Sequence, residues 1–270
     1  MVAHEYPKEL QKTMTIKKVG VTGAAGNIGQ TLRARLDDRY ELTLFDANPI
    51  DQEADDWPCV VIDLADCNAV KGRFNGLDAI IHLAADADPA APWEKVLQHN
   101  ILPTAYVFQE AARAGLRKIV LASTNHVQHG YSQKETIDNL DAPYYENHGL
   151  VSLKDPTHPD SLYAVSKLFG ENLGKYYSGQ FDIQFVGLRI GWTTPDNDPS
   201  KVMGTKHESY MRAVFLSHQD CAEAFTRALE VDAKYVVAYA VSNNERGVFD
   251  LKETGELLGF YPKDNVETFI

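Results

Sequence analysis

The chain has 270 residues and a formal charge of −12, from 38 Asp and Glu against 26 Lys and Arg. That length suits one α/β unit with a small lobe, and the acidic balance argues against nucleic acid or an anionic membrane as partner, because both would repel such a surface. Cys59, Cys67 and Cys221 form no C-x-x-C pair, no apolar run is long enough to span a bilayer, and residues 1–15 carry Glu5, Lys8, Glu9 and Lys12 in place of a secretion signal; a cytoplasmic protein with a loose N-terminal tail is expected.

After the tail, a short β-branched strand (17–21) runs into the turn Thr22-Gly23-Ala24-Ala25-Gly26-Asn27-Ile28-Gly29 and then an apolar-periodic helix (28–36). Strand, glycine turn and helix in this order make a place to lay a pyrophosphate: Gly23 allows the tight turn, Gly26 lets backbone N–H groups approach phosphate oxygens, and Gly29 lets helix and sheet pack closely. Ala25, Asn27 and Ile28 complete that binding turn. A second strand (41–45) ends in Asp46, seventeen residues beyond Gly29, where an acid meets the adenosine ribose diol. The following Ala47-Asn48-Pro49 supplies no cation for a 2′-phosphate, so NAD is the expected cofactor.

Strand-helix alternation continues with a strand at 59–63, a helix at 67–74, a strand at 79–84, a long helix at 93–114 and a strand at 118–123. Ala79-Ile80-Ile81 and Ile119-Val120-Leu121 lack strict alternation, as strands covered on both faces do. The pattern predicts a Rossmann-type doubly wound parallel sheet over 16–190. Residues 126–161 form a long polar loop, followed by a helix at 162–177 and a strand at 183–190. The span 191–270 is assigned to a small substrate lobe with closing helices and a short strand near 235–241.

On the helix at 162–177, Tyr163 and Lys167 are four apart and share one face. A cation beside a phenol lowers its pKa, and such a phenolate beside a nicotinamide can take a hydroxyl proton while hydride leaves the same carbon.

With Thr22 to Gly29, Asp63-Leu64, His82-Leu83-Ala84-Ala85, Asn100, Ala122-Ser123-Thr124, Tyr163 and Lys167, the chain resembles the extended short-chain dehydrogenases/reductases, the NAD-dependent epimerase/dehydratase family. Ser123-Thr124-Asn125-His126 and Leu188-Arg189-Ile190-Gly191 resemble the uronate dehydrogenases and related NAD-dependent sugar dehydrogenases, including archaeal glucose-6-phosphate dehydrogenases, which oxidise the anomeric carbon and release a lactone. The resemblance implies that Tyr163 is the base, that Lys167 lowers its pKa and holds the nicotinamide ribose, and that Thr124, with Ser123 beside it, hydrogen-bonds the reacting oxygen. Asn100 would support the proton path from a kink in its helix. Asp63, with Leu64, would receive the adenine amino group, Leu83, Ala84 and Ala85 would line ribose and pyrophosphate, and Ile190 would complete the cofactor site. Asn125 and His126 would point into the sugar pocket, and Arg189 would clamp an anionic substituent.

Thr124 stands where uronate dehydrogenases carry serine, and 39 positions separate it from Tyr163, a longer span than in those enzymes. The extra segment resembles the archaeal sugar-phosphate branch. It carries His129, Lys134, His148, Lys154 and His158, and Lys201, Lys206 and Arg212 follow later; a uronate and a sugar phosphate both stay open as substrate. His126 and His129 lack an obvious third ligand, and no metal is expected. A nucleotide-sugar epimerase or dehydratase with tightly bound NAD is the alternative. Against it stand Asn125-His126, where a dehydratase would carry an Asp-Glu pair, and the short stretch after Gly191. A dinucleotide sensor without chemistry would have no use for the Tyr163–Lys167 pair. The helices at 93–114 and 162–177 resemble those that build a four-helix dimer interface in this superfamily, which implies a homodimer.

Overall fold

A computed structural model describes residues 15–36, 39–50, 57–131 and 149–270. The expected tail, apart from Thr15, lies outside the described residues, as do residues 132–148 of the long loop, Lys134 and His148 among them. The strands are β1 (Lys18–Thr22), β2 (Glu41–Asp46), β3 (Cys59–Val61), β4 (Ala79–His82), β5 (Lys118–Thr124), β6 (Gln184–Ile190) and β7 (Tyr235–Ala240). They form one sheet in the order β3-β2-β1-β4-β5-β6-β7, every pair parallel. The order reverses between β1 and β4, the point where a doubly wound sheet opens a crevice at the carboxyl ends of its strands.

The central strands are covered on both sides because their alternate residues feed two different cores. On β5, Val120 and Ala122 pack with Leu32, Leu36, Phe225 and Leu229, whereas Ile119 and Leu121 pack with Val107, Phe108 and Ala111. Two-sided burial at roughly 1.5–3 kcal/mol per large apolar side chain is what holds the sheet flat against its helices. Those helices are α1 (Asn27–Arg33), α2 (Cys67–Val70), α3 (Trp93–Val96), α4 (Leu102–Ala114), α5 (Leu162–Gln180), α6 (Glu208–Val214), α7 (His218–Glu230) and α8 (Leu251–Leu258).

Two details differ from the sequence reading. The helix expected at 93–114 is interrupted: one π-helical turn, Leu97–Ile101, separates α3 from α4 and contains Asn100. Such a turn inserts an extra residue and re-aims the side chains around it. In addition, β7 belongs to the region assigned to the small lobe, yet it pairs along its length with β6, from Phe185 opposite Tyr235 to Ile190 opposite Ala240. The chain therefore returns to the sheet after leaving it, and α7 joins the same core as α1. No helix among the described residues is long and apolar enough to cross a membrane.

Candidate active site

A cavity of about 1570 Å³ runs along the carboxyl ends of the strands. One end is the glycine turn. Gly23 has φ +68°, a left-handed conformation that favours glycine, and a Cβ there would lie 2.7 Å from the Ala84 amide nitrogen. A Cβ on Gly29 would lie 2.5 Å from the Ala24 carbonyl oxygen, so only glycine lets α1 seat against the turn. Asp46, buried at the end of β2, accepts from the Ala25 and Asn48 amides, both at 2.9 Å, which pins the acid beside the turn. Gly23, Ala25, Gly26, Asn27, Ile28, Gly29, Asp46, Asp63, Leu64, Leu83, Ala84, Ala85 and Ile190 all line this cavity, so the turn, the strand-end acid and the small-residue segment expected to hold a dinucleotide share one space. The shape and donor set of this half fit such a cofactor.

The other end is built on β5, the start of α5 and the loop between. Thr124, Tyr163 and Lys167 all line the cavity. Ser161 caps α5, its hydroxyl accepting from the Ala164 amide at 3.2 Å, and this fixes the first helical turn that carries Tyr163. The Thr124 hydroxyl acts on the Tyr163 phenol and lowers its pKa, and the Lys167 ammonium lies 5.6 Å from the centre of the tyrosine ring. Burial dominates both groups. It pushes the Tyr163 phenol up to about 12, against the lowering by Thr124 and with a further push from the Asp160 and Asp86 carboxylates, and it brings Lys167 down to about 8. The lowered phenol pKa expected from the Tyr-Lys spacing is thus not what the protein alone produces: desolvation outweighs the lowering, which comes from Thr124.

Asn100 is buried behind this wall, outside the cavity lining. Its Nδ2 donates to Ser166 Oγ at 2.9 Å and to the Asp86 carbonyl at 3.0 Å, while its Oδ1 accepts from the Asp86 amide at 2.8 Å. The amide bridges the π turn to α5 and to the segment after β4.

The structure places Arg189 away from the cavity lining. The guanidinium, 5 % exposed, donates to Glu171 Oε1 at 3.0 Å and Oε2 at 2.9 Å, and to Gln128 Oε1 at 2.7 Å. Ser123 lines the cavity but its hydroxyl donates to Glu171 Oε1 at 2.6 Å. The anion clamp expected of Arg189 is therefore committed to a structural pair. Asn125 is also buried off the lining, its amide engaged by the Tyr210 hydroxyl at 2.9 and 3.0 Å.

His126 does line the cavity, and it brings partners that no motif announced. His126 Nδ1 and His129 Nδ1 each lie 2.7 Å from Asp160 Oδ2, and His126 Nε2 lies 3.1 Å from the Tyr210 hydroxyl. Asp160 is the third partner that sequence spacing could not supply. The three donor atoms lie within 4.8 Å of one another, a set that a divalent ion could use, but separations of 2.7 Å are those of groups sharing a proton. Burial raises the Asp160 carboxyl, and the hydrogen bonds from His126 and His129 more than reverse it, holding the group well below the usual carboxylate range. Trp192, His207 and Tyr210 continue the lining on this side, with Trp192 and Tyr210 ring centres 5.7 Å apart. These residues follow β6 in the chain, where the sequence shows only a Pro- and Asp-rich stretch.

Comparison with known proteins agrees with this geometry. Residues 19–193 match the NAD dependent epimerase/dehydratase family. The chain is 34% identical over 254 residues to the NAD-dependent glucose-6-phosphate dehydrogenase of Haloferax volcanii, covering 92% of this chain and 94% of that protein. It is 35% identical over 264 residues to the L-arabinose 1-dehydrogenase (NAD(P)(+)) of the same organism, covering 94% and 99%. A crystal structure of uronate dehydrogenase from Agrobacterium tumefaciens, a mutant complexed with NAD, superposes with a TM-score of 0.77 at 33% identity, covering 94% of this chain and 87% of that one. The chain belongs to the NAD dependent epimerase/dehydratase family.

Proposed function

We propose that this protein is an NAD-dependent oxidoreductase that oxidises a sugar at its anomeric carbon to a lactone. The observation that carries the reading is the meeting of Thr124, Tyr163 and Lys167 at one end of a cavity whose other end is the Gly23–Gly29 turn and Asp46. NAD, when bound, supplies the hydride acceptor. The glycine turn holds the pyrophosphate and Asp46 the adenosine ribose, with Asp63 and Leu64 beside the adenine. Thr124 hydrogen-bonds the C1 oxygen, and Tyr163 takes the C1 hydroxyl proton as C1 gives up hydride and the C1–O bond becomes a carbonyl. Lys167 holds the nicotinamide ribose and favours the phenolate, and Asn100 keeps the π turn and α5 in register behind them.

The substrate is a sugar, and an anionic one fits the surroundings best. Arg189 is committed to Glu171; of the lysines on the lining, Lys95 pairs with Asp86 and Lys167 lies beside Tyr163, while Lys206, beside His207, faces no acidic partner among the described residues. The names of the relatives cover a sugar phosphate, a neutral pentose and uronates, so the class is decided by assay. A homodimer is part of the reading: Trp93 of α3 and Leu162, Val165 and Tyr176 of α5 leave apolar surface exposed on the helices that would pair. The three thiols are free, in keeping with a reducing cytoplasm.

The test is NADH formation on mixing protein, NAD and glucose 6-phosphate, galacturonate, glucuronate or neutral aldoses. Net NADH with release of a lactone is the expected outcome. Sugar-nucleotide conversion without net NADH would replace this reading by that of an epimerase or dehydratase.

A further inference from the structure

We infer that Asp160 is a positioning residue for Tyr163, acting through His126, and that the Tyr210 hydroxyl is the second anchor of the same brace; the inference rests on the reading of Tyr163 as the base. A carboxylate only accepts, so both imidazole Nδ1 atoms at 2.7 Å from Asp160 Oδ2 must carry their protons toward it. In the neutral ring Nε2 is then the acceptor, and the group within its reach is the Tyr210 hydroxyl at 3.1 Å. Tyr210 in turn accepts from Asn125 Nδ2 at 2.9 Å. The one hydroxyl proton of Tyr210 has two acceptors within reach, Asn125 Oδ1 at 3.0 Å and His126 Nε2 at 3.1 Å, and donation to His126 gives a continuous run from Asn125 through Tyr210 and His126 to Asp160.

The chain ties three separate pieces together: the loop after β5, the residue ahead of the α5 cap, and α6. Asp160 also accepts from the Ser161 hydroxyl at 2.8 Å through its other oxygen, so the carboxylate that orients His126 is anchored to the cap of the helix bearing Tyr163. His126 meets Tyr163 edge to face, ring centres 5.9 Å apart and planes at 74°. With both ring nitrogens committed within the protein, His126 offers the site its ring, set against the base, and no nitrogen for the sugar. His129 packs against both rings, its centre 5.1 Å from that of His126 and 4.7 Å from that of Tyr210, and closes the brace.

The experiment compares Asp160→Asn, Tyr210→Phe and the double variant with the parent protein, using the sugar that gives NADH. Asparagine cannot accept both imidazole protons at one oxygen, and phenylalanine keeps the ring but removes the donor to Nε2. Each single variant should lower kcat, Asp160→Asn by about tenfold, because small misplacements of a base are costly, while Kd for NAD stays within about twofold. The double variant should lose little beyond the Asp160→Asn loss, since both act through one ring. Nitrogen NMR of His126 should show Nδ1–H in the parent and a mixture of tautomers in Asp160→Asn.

Unchanged kcat in folded variants, or losses that multiply in the double variant, would overturn the inference and leave the proposed function standing. Should Asp160→Asn fail to fold, Tyr210→Phe alone decides by the same criteria of kcat and the His126 tautomer. A parent protein that forms no NADH with any sugar overturns the functional reading, and the inference with it.

Discussion

Arg189 and Glu171 face each other as a two-pronged ion pair beneath the site, with both guanidinium–carboxylate contacts between 2.9 and 3.0 Å and both side chains almost wholly buried. Ser123, Gln128 and Tyr239 close around the pair, the tyrosine hydroxyl donating to Gln128 Oε1. Removing one partner of such a pair leaves a buried charge without compensation. Arg189→Ala should therefore lower stability by about 3–5 kcal/mol, and Glu171→Gln should do the same less severely because the amide can still accept. Thermal melting checks this. A normal melting point with a raised KM confined to anionic sugars would instead return Arg189 to the substrate.

Tyr163→Phe removes the hydroxyl and keeps the ring packed on His126. Turnover should fall by about 100-fold or more with NAD affinity nearly unchanged. The parent enzyme should also gain kcat/KM as pH rises from neutrality: the base works deprotonated, burial has pushed its phenol up to about 12, and the deprotonated fraction grows with pH. Steady-state rates across pH for both proteins test the two statements together.

Much of this was legible from local pattern. The glycine turn, Asp46 and the Tyr163–Lys167 spacing are each confined to one segment, and a short segment's conformation follows from its own residues. The two-sided strands were readable for the same reason. Asn100 was expected at a kink and lies in a π turn, a distinction that helical periodicity cannot make. Arg189 was misplaced because its sequence neighbours resemble a site while its guanidinium answers to Glu171, eighteen residues earlier on another element. Asp160 and Tyr210 carry no motif at all. Their roles arise where the loop after β5, the start of α5 and α6 converge, a long-range meeting that one-dimensional spacing does not encode.

Cofactor choice should follow the residues around Asp46. The acid is held by the Ala25 and Asn48 amides, and Ala47 beside it lines the cavity with no cation. A 2′-phosphate placed there would meet a carboxylate. Replacing Asp46 by Ser together with Ala47→Arg should shift the ratio of kcat/KM for NADP over NAD upward by about tenfold or more, because a repulsive charge is exchanged for a guanidinium that can grip the phosphate. An unchanged ratio measured with both cofactors would mean that the ribose lies elsewhere.

His82 gives the fold a pH dependence that can be isolated. Its ring is buried at the end of β4, with Nδ1 2.8 Å from Thr22 Oγ1 and Nε2 3.1 Å from Thr104 Oγ1. Burial, helped by the Lys167 charge, brings the imidazole down to about 3 from an ordinary value of 6.5. Between those two values the unfolded chain binds a proton that the folded protein refuses, so stability must rise with pH across the window and be lost as pH falls from about 6.5 toward 3. The slope contributed by this one group approaches about 1.4 kcal/mol per pH unit. Asp78, Asp86, Glu110 and Asp160, all held below the ordinary carboxylate range, add slope of the same sign at the acid end, so the His82 share is read as a difference. His82→Gln keeps an amide that can bond both threonines and does not titrate. It should be less stable than the parent at pH 7 and lose less stability between pH 6.5 and 4.5, measured by urea unfolding at several pH values. Parallel curves for the two proteins would mean that the folded protein accepts the imidazole proton after all.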